Sequence, residues 1–421
     1  MPKDAYKEKV INPGDLGSKL AHKICAESYD NNPAVMVVPH LPGNFRGPTG
    51  FLWRGHILSD MMKYTIHREG ENRGKVKDWT VLEEIENDGA GGKPQFFTLL
   101  GEKEAFRGLG WEIITMTADD FARSGRFPAV IVNQMDTKEI TDRNFPLFQA
   151  VMEGYGEALK SARLVNLTGE LAIMKHSITA FCDDGSDEQF ILTWGAACVG
   201  LAHRDLLIDG SKIRPNMSII GFSEFGYRCN GGTFFTNLIL KKFGPKIEQI
   251  LKNRQALNFV KDLTVPSQSY AWTISRLLGW DHRARGWPLE KIEKGPLVRI
   301  YGIAHITGGG VWGKFGELLP EGVGARLHSM PAPAPVLREA QDLSWKTDDR
   351  LTDWRAYSTL HGGCGMLLVC HPDDAGKIII EARKDGVFAQ IVGKTVEAKN
   401  NLITIKSRFR EGKTLYSIEP E

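Results

Sequence analysis

At 421 residues, with 42% hydrophobic and 25% charged side chains, the chain has the length of two ordinary domains and the make-up of a soluble globular protein. Its 53 basic and 51 acidic residues leave a formal charge of +2, and no basic run is interleaved with aromatics, so nucleic acid and membrane surfaces are not expected partners. No apolar stretch approaches the roughly 20 residues of a membrane span. The charged start Met1-Pro2-Lys3-Asp4 also lacks the apolar core of a signal peptide, which makes a cytoplasmic location the expectation.

Gly14-Asp15-Leu16-Gly17 leads into a short amphipathic helix over 18–24, with Asp15 or Ser18 as its cap. A strand over 34–38 runs into the glycine-proline loop 42–50, which holds Gly43, Asn44, Arg46 and Gly47. Trp79 to Glu86 reads as a strand ending on Asn87-Asp88-Gly89-Ala90-Gly91-Gly92-Lys93. Ile113 to Thr117 reads as a strand ending on Asp119-Asp120, and Ala129 to Asn133 as another. Leu147, Val151, Tyr155 and Leu159 recur at helical spacing and predict a helix over 145–162. Leu164 to Leu167 reads as a buried strand ending on Gly169-Glu170.

A new strand-containing unit begins at Ile213. Asn230-Gly231-Gly232 heads a helix over 233–242, and His305 closes an apolar strand before Thr307-Gly308-Gly309-Gly310. The Pro-Ala run 331–335 predicts a short extended connection before a further helix. Strands are expected at 365–370 and 388–393, with a helix at about 372–384 between them. Strands alternating with helices in both halves predict an α+β class built of α/β sandwiches.

The 87–93 turn carries one carboxylate and one amine among glycines. Asp88 can hold a divalent cation, Lys93 can neutralise phosphate, and Gly89 and Gly91 let the backbone approach a ligand. It is not a P-loop, because Pro94 stands where that motif has its magnesium-binding hydroxyl. A hairpin-type Asp-Gly turn is the competing reading. Asp88, the pair Asp119-Asp120 and Glu170 share one layout, a strand followed by a carboxylate. Converging strand-end carboxylates suit magnesium, whereas separately each is a solvated loop acid. Asn230-Gly231 before a helix, with Arg228 just ahead, has the character of an anion site, although simple capping also accounts for Asn230. His305 reads equally as a hydrogen-bonded core histidine, but the triple glycine after it is harder to explain by stability. None of the six cysteines forms a Cys-x-x-Cys pair, which argues against zinc or a redox dithiol.

In this order the motifs resemble aminoimidazole ribonucleotide synthetase, the phosphoribosylformylglycinamidine cyclo-ligase family. The family's nucleotide turn looks like Asn87 to Lys93, and its Asn-Asp after the next strand looks like Asp119-Asp120. Its Gly-Glu motif looks like Gly169 to Met174, and its Ser-Asn-Gly like Cys229-Asn230-Gly231. Ile208-Asp209-Gly210-Ser211-Lys212 and Ala304-His305-Ile306-Thr307-Gly308-Gly309-Gly310 match unchanged. The resemblance implies an N-terminal ATP/metal-binding and dimerisation domain over 1–212 and a C-terminal synthetase-like domain over 213–421. It further implies ATP and Mg2+, a small nucleotide substrate and a homodimer joined through N-terminal sheets. Asp88, Asp119, Asp120 and Glu170 would hold metal, and Asp88, Lys93, Asp120 and Arg228 would serve the chemistry. Gly43, Asn44, Gly47, Gly89, Gly91, Asn230, Gly231, His305, Thr307, Gly308 and Gly309 would bind nucleotide.

Four positions depart from the family pattern. Arg228 replaces its histidine, Ile173 its second glutamate, His361 its asparagine, and Trp312-Gly313-Lys314 its Trp-Glu-Asn. The chain is also longer around 55–80, 182–188 and 400–421. Either a different substrate or a reduced activity follows from such departures. The branches for selenophosphate synthesis and hydrogenase maturation call for cysteines that loop 42–50 and the last residues do not contain.

Overall fold

The computed structural model describes residues 13–38, 48, 50–53, 81–203, 207–279 and 297–417. A four-stranded sheet has the spatial order β3 (Val81–Gly89), β6 (Leu192–His203), β4 (Phe127–Thr137), β5 (Val165–Ile173). Strands β4 and β5 run parallel, joined through helix Phe145–Ala162, and the other pairs are antiparallel. A seven-stranded sheet is built from residues 218–416, with β7 (Ser218–Ser223), β10 (Cys364–Cys370) and β8 (Ile300–His305) at one side. Strand β11 (Ala389–Glu397) pairs with the other edge of β7. The expected residue 212 boundary thus falls between the two sheets. The α+β class read from the sequence is the observed one.

Helix Phe145–Ala162 spans the predicted range, and its apolar stripe buries Val151, Tyr155 and Leu159. Ile113 to Thr117, expected as a strand, lies instead inside helix Lys103–Ala122. Its β-branched residues favour strand locally, but this stretch of the helix is wrapped by protein. Ile113, Ile114, Thr115, Met116 and Thr117 are all buried, so no polar face marks the helical period. Residues 164–167 are only the start of β5, which continues through Glu170 to Ile173.

The two helices cross at backbone contact. A Cβ on Gly110 would stand 2.4 Å from the Val151 carbonyl oxygen, and one on Gly154 would stand 1.9 Å from that of Arg107. This crossing fixes helix Lys103–Ala122 against the sheet and thereby places Asp119 and Asp120.

The two halves do not keep separate cores. Helix Ala271–Leu277 and residues Ile220, Phe222, Met366 and Ile378 pack in one cluster with the N-terminal sheet. Phe96, Leu99 and Cys182 join the core of the second sheet. Among the described residues, no helix is long and apolar enough to cross a membrane.

Gly154→Ala is expected to destabilise the fold by about 1–3 kcal/mol or more through overpacking at the crossing. Denaturant unfolding of the variant measures it, and an unchanged midpoint would refute the backbone contact.

Candidate functional site

Strand β3 carries Asp88 one residue before its end. The strand does not fold back as a hairpin. It ends at Gly89, turns through Ala90 to Gly92, and enters helix Pro94–Leu100. Gly91 has φ +54°, and a Cβ there would meet the Cys229 carbonyl oxygen at 2.7 Å. The turn thus lies directly on the loop Cys229 to Gly232 that opens helix Gly232–Phe243. Asn230 in turn sits beside Gly308, 3.5 Å from where a Cβ would stand. Three glycine loops that are remote in sequence therefore lie against one another.

Asp88 accepts a 2.7 Å hydrogen bond from the Gly89 amide. Burial pushes its carboxyl up, and the neighbouring Asp120 adds to this. The Gly89 amide and the charges of Arg228 and Lys314 act in the opposite direction. Asp120 comes from the last turn of helix Lys103–Ala122. It accepts from Arg123 Nε at 2.9 Å and stands 3.2 Å from His305 Nδ1. Burial alone would raise it, but hydrogen bonds with His305 and Glu86 and the Arg123 charge hold it well below the usual carboxylate range. Glu86 is displaced upward, first by burial and then by Asp120.

His305 closes strand β8 with its side chain fully buried. Its Nε2 lies 2.7 Å from Arg228 Nη2. A guanidinium has only donors, so Nε2 is the acceptor and the ring proton is on Nδ1, directed at Asp120. Burial and the Arg228 charge push the imidazole down to about 4. Arg228 is equally enclosed. It donates to Glu224 at 2.7 Å, to the Gln268 carbonyl at 3.1 Å and to Asp119 at 3.1 Å.

The expected site residues separate into two groups. Asp88, Asp120, Asn230, Gly231, His305 and Gly308 lie together, with Gly89, Gly91, Thr307 and Gly309 in the loops beside them. Lys93 does not face phosphate. It is wholly buried, donating to Glu112 at 2.6 Å and to the Val265 carbonyl at 2.9 Å. Glu112 also accepts from the Ser267 amide and hydroxyl. Asp119 is also a structural acid rather than an open ligand. Besides Arg228 it accepts from the amides of Tyr270 and Ala271 at 2.8 and 2.7 Å, which fixes the start of helix Ala271–Leu277. Arg228 touches no open space and acts only through His305 and the acids it holds.

Glu170 lies exposed in mid-strand, opposite Gln134, rather than at a strand end. Among the described residues no three His, Cys, Asp or Glu side chains converge as a metal cluster. Gly43, Asn44 and Gly47 fall outside the described residues. The unchanged 208–212 motif forms a turn closed on itself, with Asp209 accepting from the Ser211 amide and hydroxyl.

Sequence reasoning gave no role to Glu86, Arg123, Glu224 or Lys314. Alternation along β3 was the available signal for Glu86, which together with Glu84 faces Arg126. No local pattern links Glu224 to Arg228 and Asp119.

A family model described as AIR synthase related protein, C-terminal domain, matches residues 281–406. Two curated relatives are named phosphoribosylformylglycinamidine cyclo-ligase. That of Pseudothermotoga lettingae is 22% identical over 75% of this chain and 82% of its own length. That of Acetivibrio thermocellus is 26% identical over the same shares. Among solved structures, the E. coli hydrogenase maturation protein HypE superposes with a TM-score of 0.50 at 14% identity, over 96% of this chain and 98% of its own. A HypE structure in complex with ATP gives a TM-score of 0.50, also at 14% identity, over 87% of this chain and 94% of its own. The resemblance read from the motifs is borne out at the level of AIR synthase relatives, and the His305 to Gly310 loop lies within the matched domain.

His361, one of the departures, is held neutral by its contacts. Nε2 donates to the Gly226 carbonyl at 2.9 Å and Nδ1 accepts from the Gly363 amide at 3.1 Å. Burial pushes it down to about 4. A folded value below the unfolded one, about 6.5, means that the unfolded chain takes up the proton first. Stability from this group is then complete above about pH 6.5 and is lost as pH falls towards 4. His361→Asn is expected to flatten the loss of thermal midpoint across that window. An equally steep loss in the variant would show that His361 does not titrate this way.

Proposed function

We propose that this protein is an ATP-dependent phosphoribosylformylglycinamidine cyclo-ligase, active as a cytoplasmic homodimer. The observation that carries the reading is the meeting of Asp88 and Asp120, from different elements, beside glycine loops that lie against one another. The cyclo-ligase names of the relatives support it.

The residues gathered there fit a magnesium nucleotide. Magnesium needs only one or two carboxylates, with phosphate oxygens and water completing its shell. Asp88 and Asp120 are such a pair, and the buried Asn230 Nδ2 has no partner among the described residues. A magnesium ion held there would offset the charge that develops on the transferred phosphoryl group.

In the proposed reaction the formyl oxygen of formylglycinamidine ribonucleotide takes the terminal phosphoryl group of ATP, releasing ADP. The neighbouring nitrogen then bonds to the activated carbon. Phosphate leaves, a proton is lost, and the imidazole ring closes. In this scheme His305 and Arg123 hold Asp120 ionised and oriented, and the glycine loops admit the phosphates close to backbone amides. Arg228 is a positioning residue. The dimer would form through the open face of the N-terminal sheet, where Ile85 is 70% exposed. Residues 1–212 and 213–421 are the proposed functional halves.

A second reading is an ATP-using relative with a different small substrate, favoured by Lys314, whose charge reaches Asp88. ADP release by the purified protein, with and without formylglycinamidine ribonucleotide, decides between them. The cyclo-ligase reading expects stimulation by that substrate, abolished in Asp88→Asn and Asp120→Asn. Unstimulated release points to the second reading, and full activity in either variant removes the assignment of that acid.

A further inference from the structure

The first half of helix Lys103–Ala122 turns one face outward. Arg107 and Trp111 on that face border a hollow of about 510 Å3, with Trp272 and Asp385 also in its wall. That volume is in the range of small-molecule sites. Neither Asp88 nor Asp120 lines it, so it is separate from the acids described above.

The floor of the hollow is the segment 266–269, which is pinned from behind. Ser267 donates to Glu112 through its amide at 2.9 Å and its hydroxyl at 2.6 Å, and the Gln268 amide donates to Glu224 at 3.2 Å. Gly108 lets the segment rest on the helix, because a Cβ there would stand 2.8 Å from Pro266 Cγ. The hollow is therefore built into the packing.

Its polar groups favour one sign of charge. Arg107 is the only cation among the described residues that line it, and it is paired with Glu157. Asp385, its side chain 10% exposed, receives Thr273 Oγ1 at 3.1 Å and Arg276 Nε and Nη2 at 3.0 and 2.9 Å. All three reach the same oxygen, Oδ2. Oδ1 accepts no hydrogen bond among the described residues, yet it is not one of the sealed atoms and stays accessible. Glu104 adds a second acid at the exposed rim. Trp272 already has the Arg163 guanidinium 5.6 Å from its ring. Trp111 is half-buried against the core, and its ring meets no other aromatic ring or cation among the described residues.

We propose that this hollow binds a small organic cation, a protonated amine with a flat apolar body. The ammonium donates to Asp385 Oδ1, with the charge of Glu104 in support, and the body lies against the indole of Trp111. An anion finds no uncommitted cation there. The site does not depend on the ATP-dependent reading.

Calorimetric titration of the full chain near pH 7 with phenethylamine, and with phenylacetate as its anionic counterpart, tests this. Phenethylamine is expected to bind at millimolar concentration and phenylacetate at least about ten-fold more weakly, as loss of a charged hydrogen bond implies. Trp111→Ala should weaken phenethylamine by about three- to thirty-fold, the range of an aromatic contact with a cation. Ser161→Tyr, which fills the hollow from an exposed helix position, should abolish binding, and thermal midpoints report whether each variant is folded. No binding of phenethylamine to the wild-type protein, equal binding of phenylacetate, or undiminished binding in Ser161→Tyr or Trp111→Ala overturns the proposal.

Discussion

A single buried guanidinium ties the two halves of this molecule together. Arg228, about 1% exposed, meets Glu224 from its own half and Asp119 from the N-terminal helix, and it presses on His305 at the end of β8. Asp119 accepts at the same time from the backbone that begins helix Ala271–Leu277. One cation therefore fixes the relative placement of three elements that carry site residues. The arrangement is demanding. Taking charges out of water costs several kcal/mol per ion, and only close pairing offsets it. Arg228 also has φ +61°, a left-handed conformation that costs a non-glycine residue roughly 1–2 kcal/mol. Such a residue persists because its surroundings determine it from every side.

The ionisation pattern of the site follows from that arginine. With the guanidinium against Nε2, His305 stays neutral and donates a hydrogen bond from Nδ1 to Asp120. Asp120 then carries full charge although it is largely enclosed. Asp88 lacks such a donor apart from one backbone amide, and its carboxyl is displaced in the opposite direction. Two acids side by side are thus made unequal by their neighbours. Asp120 is the more anionic of the two.

Much of the fold was legible because local pattern and tertiary role agreed. The stripe through Leu147, Val151, Tyr155 and Leu159 marks a helix with one wet and one dry face, and glycines at 91 and 231 mark turns that only glycine fits. Helix Lys103–Ala122 was illegible for the converse reason. Its stretch from Glu112 to Asp119 is buried all round, so Ile113 to Thr117 look like a strand to any local rule. The site was half legible. Asp88, Asp120 and the Thr307 to Gly309 loop stand near one another, but Lys93 lies in the core. Its fate depends on Glu112 and on Val265 and Ser267, which are 172 and 174 positions away. Nothing near Lys93 in sequence announces that pairing.

The proton position on His305 tests the account most directly, because the whole electrostatic arrangement passes through it. Nitrogen-15 NMR of the histidine rings near pH 7 reports which ring nitrogen is protonated. The account predicts a neutral ring with the proton on Nδ1 and a bare Nε2 accepting from Arg228. A ring protonated on Nε2, or on both nitrogens, would contradict it.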